Sequence, residues 1–178
     1  MTIFLCSGCK NGKTALALKL ALALPAPRFY IATMLPADGE DRARIGRHIA
    51  ERAGLGFTTI EQPRNIACCL ETAGSGTMVV DSVTALLMNE MFPCSFEGEA
   101  DPLAARRAEE GLLALAEKAE NALFISDYIH SDAALYDDFT ETYRRDLARL
   151  NRALARACDT VAELCAGTAV LHKGRFPG

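Results

Sequence analysis

Eight residues near the start of the chain, Ser7-Gly8-Cys9-Lys10-Asn11-Gly12-Lys13-Thr14, carry its clearest chemistry. They follow the apolar run Thr2-Ile3-Phe4-Leu5-Cys6 and precede Ala15-Leu16-Ala17-Leu18, so a strand passes through a tight glycine loop into a helix. A phosphate-binding loop of the form G-x-x-x-x-G-K-[ST] needs this order. Its backbone N–H groups wrap phosphates at a helix N-terminus, its lysine reaches the β and γ oxygens, and its Ser/Thr hydroxyl joins Mg²⁺. Ser7 stands where the pattern has its first glycine, with Gly8 one place later. A plain glycine turn would not explain why Lys13 and Thr14 open a helix, and the loop is read as a nucleotide site.

Three further groups could take part in phosphate chemistry. Arg44, His48 and Arg52 recur at helical spacing, which predicts one polar face while Ile45 and Ile49 turn toward the core. Cations one turn either side of a histidine disfavour imidazolium and keep the ring neutral and nucleophilic. They also stabilise charge on a phosphate under attack. The plain alternative is a solvated helix face that happens to carry a histidine. Asp81 ends the apolar run Thr77-Met78-Val79-Val80, where a phosphate-loop enzyme holds Mg²⁺ directly or through water. Glu61 follows another strand and could accept from a base or ribose, although an exposed charge is the simpler reading. Asp127 closes Phe124-Ile125-Ser126 and could orient an attacking hydroxyl. His130 and His172 read as loop residues, and Arg144, Arg145, Arg149, Arg152 and Arg156 as the solvated side of a long helix.

Positioning these groups requires strands that end together. Strand-like runs are expected at 3–6, 28–32, 57–60, 77–80, 122–126, 160–165 and 169–171, with helical patterns at 13–24, 40–53, 65–72, 86–91, 102–119 and 136–157. This alternation predicts an α/β fold with a mostly parallel sheet and helices on both faces, in one domain spanning 1–178. Ligands then sit beyond the carboxyl ends of the strands. The 178 residues are half apolar with a net charge of −4, and no basic stripe marks a nucleic-acid partner. The apolar stretch 15–26 is interrupted by Lys19 and too short to cross a bilayer. Seven cysteines, an odd number without zinc-site spacing, are expected to be reduced and mainly buried in a cytoplasmic protein.

Taken together, these motifs resemble the bifunctional adenosylcobinamide kinase / adenosylcobinamide-phosphate guanylyltransferase family of cobalamin biosynthesis. The likeness runs through the loop at 8–14, Tyr30-Ile31-Ala32-Thr33, Arg44-Ile45-Gly46-Arg47-His48 with Arg52, and Thr59-Ile60-Glu61-Gln62-Pro63. It continues through Val79-Val80-Asp81-Ser82-Val83-Thr84, Asn89, Leu150-Asn151, Asp159-Thr160-Val161 and Ala166-Gly167. The resemblance implies a RecA-like P-loop NTPase fold, a homotrimer, and a corrinoid substrate, adenosylcobinamide. It implies a kinase step using ATP or GTP with Mg²⁺ on Thr14 and Asp81 and with Lys13 on the phosphates. It implies a guanylyl transfer through a GMP–histidine at His48. Nucleotide contacts would fall on Ser7, Gly8, Cys9, Lys10, Asn11, Gly12, Lys13 and Thr14, on Ala32, Thr33 and Met34, on Ile49, Ala50, Glu51 and Arg52, and on Glu61 and Asp81. The sequence departs from the family at Ser7 and across 126–138, where Ser126-Asp127-Tyr128-Ile129 replaces Asn-Glu-Val-Gly. A single-activity kinase of the same fold, or a nucleotide-binding regulatory module, are the alternative readings.

Overall fold

The protein is described by a computed structural model covering residues 1–36, 39, 45–46, 49–50, 52–93, 100–129 and 134–178. Among these residues the strands are β1 (Thr2–Ser7), β2 (Arg28–Ala32), β3 (Phe57–Glu61), β4 (Thr77–Asp81), β5 (Asn121–Asp127), β6 (Thr160–Cys165) and β7 (Thr168–Lys173). The helices are α1 (Lys13–Leu22), α2 (Cys69–Ala73), α3 (Val83–Met91), α4 (Ala104–Lys118) and α5 (Asp138–Ala157). A 3-10 turn at Ile66–Cys68 leads into α2. Within 40–53, the described residues Ile45, Gly46, Ile49, Ala50 and Arg52 are helical and Ala53 is in a turn.

One sheet runs β3-β2-β4-β5-β1-β6-β7, parallel throughout except for the β6–β7 hairpin. Ala166 (φ 48°) and Gly167 (φ 78°) turn that hairpin, both in the left-handed region that a two-residue primed turn requires. Alternation along the central strands feeds two cores. Ile3, Leu5, Leu123 and Ile125 pack under α1 with Ala17, Leu18 and Ala21. Phe4, Ala122 and Phe124 face α3, α4 and α5, meeting Leu86, Leu112, Leu147 and Leu150. A strand buried on both faces is apolar at nearly every position, and β1, β4 and β5 read that way.

Capping residues set where two helices begin. Ser82 Oγ accepts from Ala85 N–H at 3.2 Å, so α3 begins at Val83, three residues before the apolar pattern predicted. Asp137 accepts from Thr140 N–H at 2.9 Å and starts α5. Part of the segment that departs from the family thus has a helix-starting role. The predicted solvated stripe on α5 needs one correction. Arg144 is buried, donating to the carbonyls of Ile129 (3.0 Å) and Ala134 (3.3 Å) and pairing with Glu141 at 2.6 Å. Carbonyls at the end of a loop satisfy this guanidinium as well as water would. Arg149 keeps the expected outer position and pairs with Glu109.

Candidate nucleotide and phosphate site

Because β1 to β6 run parallel, their carboxyl ends share one edge of the sheet. The register sets Glu61, Ala32 and Asp81 abreast on β3, β2 and β4, and Ser7 beside Asp127 on β1 and β5. Between these ends lies the loop 8–12. Gly12 takes φ 84°, a conformation costly for any residue with a Cβ, and α1 starts immediately after it. No side chain caps that helix and no acid occupies its first turn. Its first N–H groups are therefore available to an anion, and the helix dipole favours one there.

Lys13 is buried, and its ammonium is gathered by acceptors around the loop. Nζ donates to Gly8 O at 2.8 Å, Ser7 Oγ at 2.9 Å and Asp127 Oδ1 at 2.8 Å, and lies 3.4 Å from Ser7 O. Ser7 is fully buried and its hydroxyl donates to Gly8 O at 2.7 Å. The side chain that replaces the pattern's first glycine thus turns into the protein and helps hold the lysine. Asp127 is fixed from its other side: Thr84 Oγ1 donates to Oδ2 at 3.1 Å and accepts from Asp127 N–H at 3.0 Å. Tyr143 O–H donates to Thr84 O at 2.9 Å, and burial pushes its pKa well above the usual phenol value.

On the other side of the loop, Thr14 Oγ1 donates to Asp81 Oδ2 at 2.8 Å, and Tyr30 O–H donates to the same oxygen at 2.7 Å. A hydroxyl that gives its proton to a carboxylate keeps its lone pairs for a cation. One hydroxyl and one carboxylate oxygen side by side form a hard oxygen donor set suited to Mg²⁺ with retained waters and phosphate oxygens. The residues present therefore fit a phosphate–Mg²⁺ group. Beyond Asp81, Thr33 Oγ1 donates to Ser82 O at 2.8 Å and accepts from Ser82 N–H at 2.7 Å. Asn89 Nδ2 donates to Thr33 O (2.7 Å) and Pro63 O (3.2 Å), clamping the turns that follow β2 and β3.

Residues 3–171 match the cobinamide kinase / cobinamide phosphate guanyltransferase family (CobU). The chain belongs to this family. The bifunctional adenosylcobalamin biosynthesis protein CobP of Pseudomonas aeruginosa is 28% identical over 172 residues, covering 94% of each chain. Among solved structures, the fold resembles the RadB recombinase (TM-score 0.51, 19% identity, 99% of this chain and 82% of that one). It also resembles a type III secretion ATPase (TM-score 0.53, 14% identity), where 92% of this chain spans 51% of the ATPase. A Pyrococcus horikoshii OT3 protein gives TM-score 0.55 at 7% identity, covering 97% of this chain and 86% of that one. These likenesses establish the RecA-like P-loop fold, and the family makes this a nucleotide-dependent enzyme.

For this member of the family, the structure brings Ser7, Gly8, Lys13, Thr14, Asp81 and Asp127 into one cluster. Ala32 and Thr33 stand at its rim. Glu61 is exposed at the end of edge strand β3, two strand spacings or about 10 Å from Asp81. It therefore lies outside the phosphate cluster. His48, Arg44 and Glu51 lie outside the described residues, as do Cys94 and His130.

The expected polar face of the 40–53 helix is corrected at two positions. Arg52 is buried at 7% exposure, its guanidinium 4.0 Å above the Tyr30 ring and its Nε donating to Thr59 Oγ1 at 3.1 Å. Ile49 is 53% exposed. An aromatic face and a hydroxyl meet the buried cation, contacts that helical spacing alone does not reveal. The cysteines are also less buried than expected: Cys69 and Cys158 are buried, but Cys9, Cys68 and Cys165 are exposed free thiols. Tyr30, Thr84 and Asn151 were present in the motifs without a role. The available signal was their position in or beside strand-end segments. Asn151 Nδ2 donates to Asp127 O at 3.1 Å and its Oδ1 accepts from Ser126 Oγ at 2.7 Å. His172 is exposed and pairs with Glu163 at 3.2 Å. No helix among the described residues is long and apolar enough to cross a membrane.

Proposed function

We propose that this chain, as one domain spanning 1–178, phosphorylates adenosylcobinamide and then converts the product to adenosylcobinamide-GDP. The observation that carries the reading is the convergence of Lys13, Thr14 and Asp81 around an uncapped helix N-terminus, in a chain of this family. In the kinase step, loop N–H groups and Lys13 would hold the β and γ phosphates of ATP or GTP while the aminopropanol hydroxyl attacks the γ-phosphorus. Thr14 and Asp81 would hold Mg²⁺, which supplies charge neutralisation on the phosphates. In the second step, a neutral nitrogen of His48 attacks the α-phosphorus of GTP and pyrophosphate leaves. An oxygen of the corrinoid phosphate then attacks that phosphorus and releases the histidine.

The guanine nucleotide would contact the loop at 7–14, Ala32, Thr33, Met34, Ile49, Ala50, Glu51, Arg52, Glu61 and Asp81. The exposed Ile49 is compatible with the proposed homotrimer, in which this helix lies near a neighbour. A cytoplasmic, nucleic-acid-independent enzyme completes the reading. The test is incubation with α-labelled GTP and Mg²⁺. Acid-labile, base-stable label on the protein, absent in His48→Ala, supports it. Unlabelled protein that still phosphorylates cobinamide leaves a kinase alone, and binding without turnover leaves a regulatory module.

A further inference from the structure

Tyr30 lies two residues before the end of β2, paired in register with Thr59 on β3 and Val79 on β4. It is 3% exposed, so its hydroxyl must be satisfied inside the protein, and the acceptor is Asp81 Oδ2 at 2.7 Å. Thr14 Oγ1 donates to the same oxygen at 2.8 Å. Two donors on one carboxylate oxygen, coming from a strand and from a helix, fix the rotation of the group. Oδ1 receives no hydrogen bond from a described residue. The carboxylate is thereby held through Oδ2 by two donors.

The ring itself is held in turn. Arg52 lies 4.0 Å above it and reaches Thr59, the residue beside Tyr30 on β3. A guanidinium over the face of a phenol draws electron density from the ring and makes its O–H a stronger donor. Arg52 Nη1 is buried with no hydrogen-bond partner among the described residues, so the stack on Tyr30 is a principal contact of this cation. A continuous series of contacts thus runs from Arg52 through Tyr30 to Asp81 and Thr14.

We propose that Tyr30 is a positioning residue that orients the Asp81 carboxylate toward Mg²⁺ and ties that carboxylate to the helix carrying Arg52. The inference rests on the reading of Thr14 and Asp81 as the Mg²⁺ residues. Outer groups that hold a metal-binding carboxylate typically change metal affinity by ten- to a hundredfold when removed. Tyr30→Phe removes only the hydroxyl and keeps the ring volume and the Arg52 stack.

The test measures binding of a fluorescent GTP analogue to the full chain, titrated with Mg²⁺ and repeated in EDTA. Tyr30→Phe should raise the Mg²⁺ concentration at half-effect about tenfold, with affinity in EDTA within about twofold of wild type. In an Asp81→Asn background the same change should shift nothing further, because there is no carboxylate to orient. A Mg²⁺ curve coincident with wild type overturns the proposal. So does a shift that persists in Asp81→Asn, or an equal loss in EDTA, either of which would assign Tyr30 to packing alone. If wild-type binding shows no Mg²⁺ dependence, the reading of Asp81 itself fails and the role of Tyr30 falls with it.

Discussion

Replacing Lys13 by Met separates the structural cost of losing this lysine from its proposed role on phosphates. Lys13 Nζ and Asp127 Oδ1 are 2.8 Å apart, with side chains only 8% and 14% exposed. At that distance the direct attraction is about 6 kcal/mol for an effective dielectric of about 20, much of it offset by desolvation. Lys13→Met leaves a mostly buried carboxylate without its cation, a change that typically costs about 3–5 kcal/mol. Thr84 Oγ1 still donates to Asp127, which sets the cost near the low end, about 3 kcal/mol. For a chain of this length that lowers Tm by about 6–12 °C. Lys13→Met with Asp127→Asn removes both charges, and a neutral pair is far less costly than a lone buried ion. The double variant should therefore recover about 2 kcal/mol, or roughly 4–8 °C, over Lys13→Met. Thermal unfolding by circular dichroism without nucleotide reads this directly, and triphosphate binding, weak in both variants, reads the other role. Strictly additive Tm changes, or a Lys13→Met protein that melts with wild type, would refute the argument that this pair is electrostatically coupled.

Asn89→Ala removes two hydrogen bonds and leaves the carbonyls of Thr33 and Pro63 without this donor. A loss of about 2 kcal/mol, seen as a midpoint shift in urea unfolding, is expected. The Thr2 backbone N–H holds the Asp159 carboxyl below its usual 3.8, assisted by the Thr2 hydroxyl, the N-terminal amine and Lys173. A depressed native value contributes stability that is present above the unfolded value and lost as pH falls through the native one. Asp159→Asn should therefore flatten the decline of the urea midpoint below about pH 4, and parallel curves for the two proteins would refute this. Burial pushes the Cys6 and Cys158 thiols up to about 12 and the Cys69 thiol to about 11. At pH 8 a thiol reagent with peptide mapping should label Cys9, Cys68 and Cys165 in the folded protein, and Cys6, Cys69 and Cys158 only after unfolding. Mg²⁺–GTP should slow labelling at Cys9, which lies in the loop.

Much of the architecture was legible because its signals are local. Apolar runs long enough for strands buried on both faces, separated by helical periodicity, specify a parallel sheet. Glycine, lysine and threonine at fixed offsets then specify a phosphate loop wherever the strand and helix around them form. The helix α3 starts three residues before its apolar pattern because the Ser82 cap, not the apolar spacing, sets where it begins. Arg52 and Arg144 depart from the expected solvated faces for one reason: helical spacing says which residues share a face, but not what that face meets. A guanidinium can lie in water, over a tyrosine ring or against loop carbonyls, and only the neighbouring elements decide which it meets.

The sequence by itself thus determined the fold class, the phosphate loop and the acids that end the strands, since each depends on residues adjacent along the chain. Tertiary structure decided the pairings among them. Ser7 turned inward to hold Lys13, Asp127 became the lysine's counter-ion, and Tyr30 met Asp81. Those contacts join positions 6, 114 and 51 residues apart, set by strand order and register rather than by any local preference.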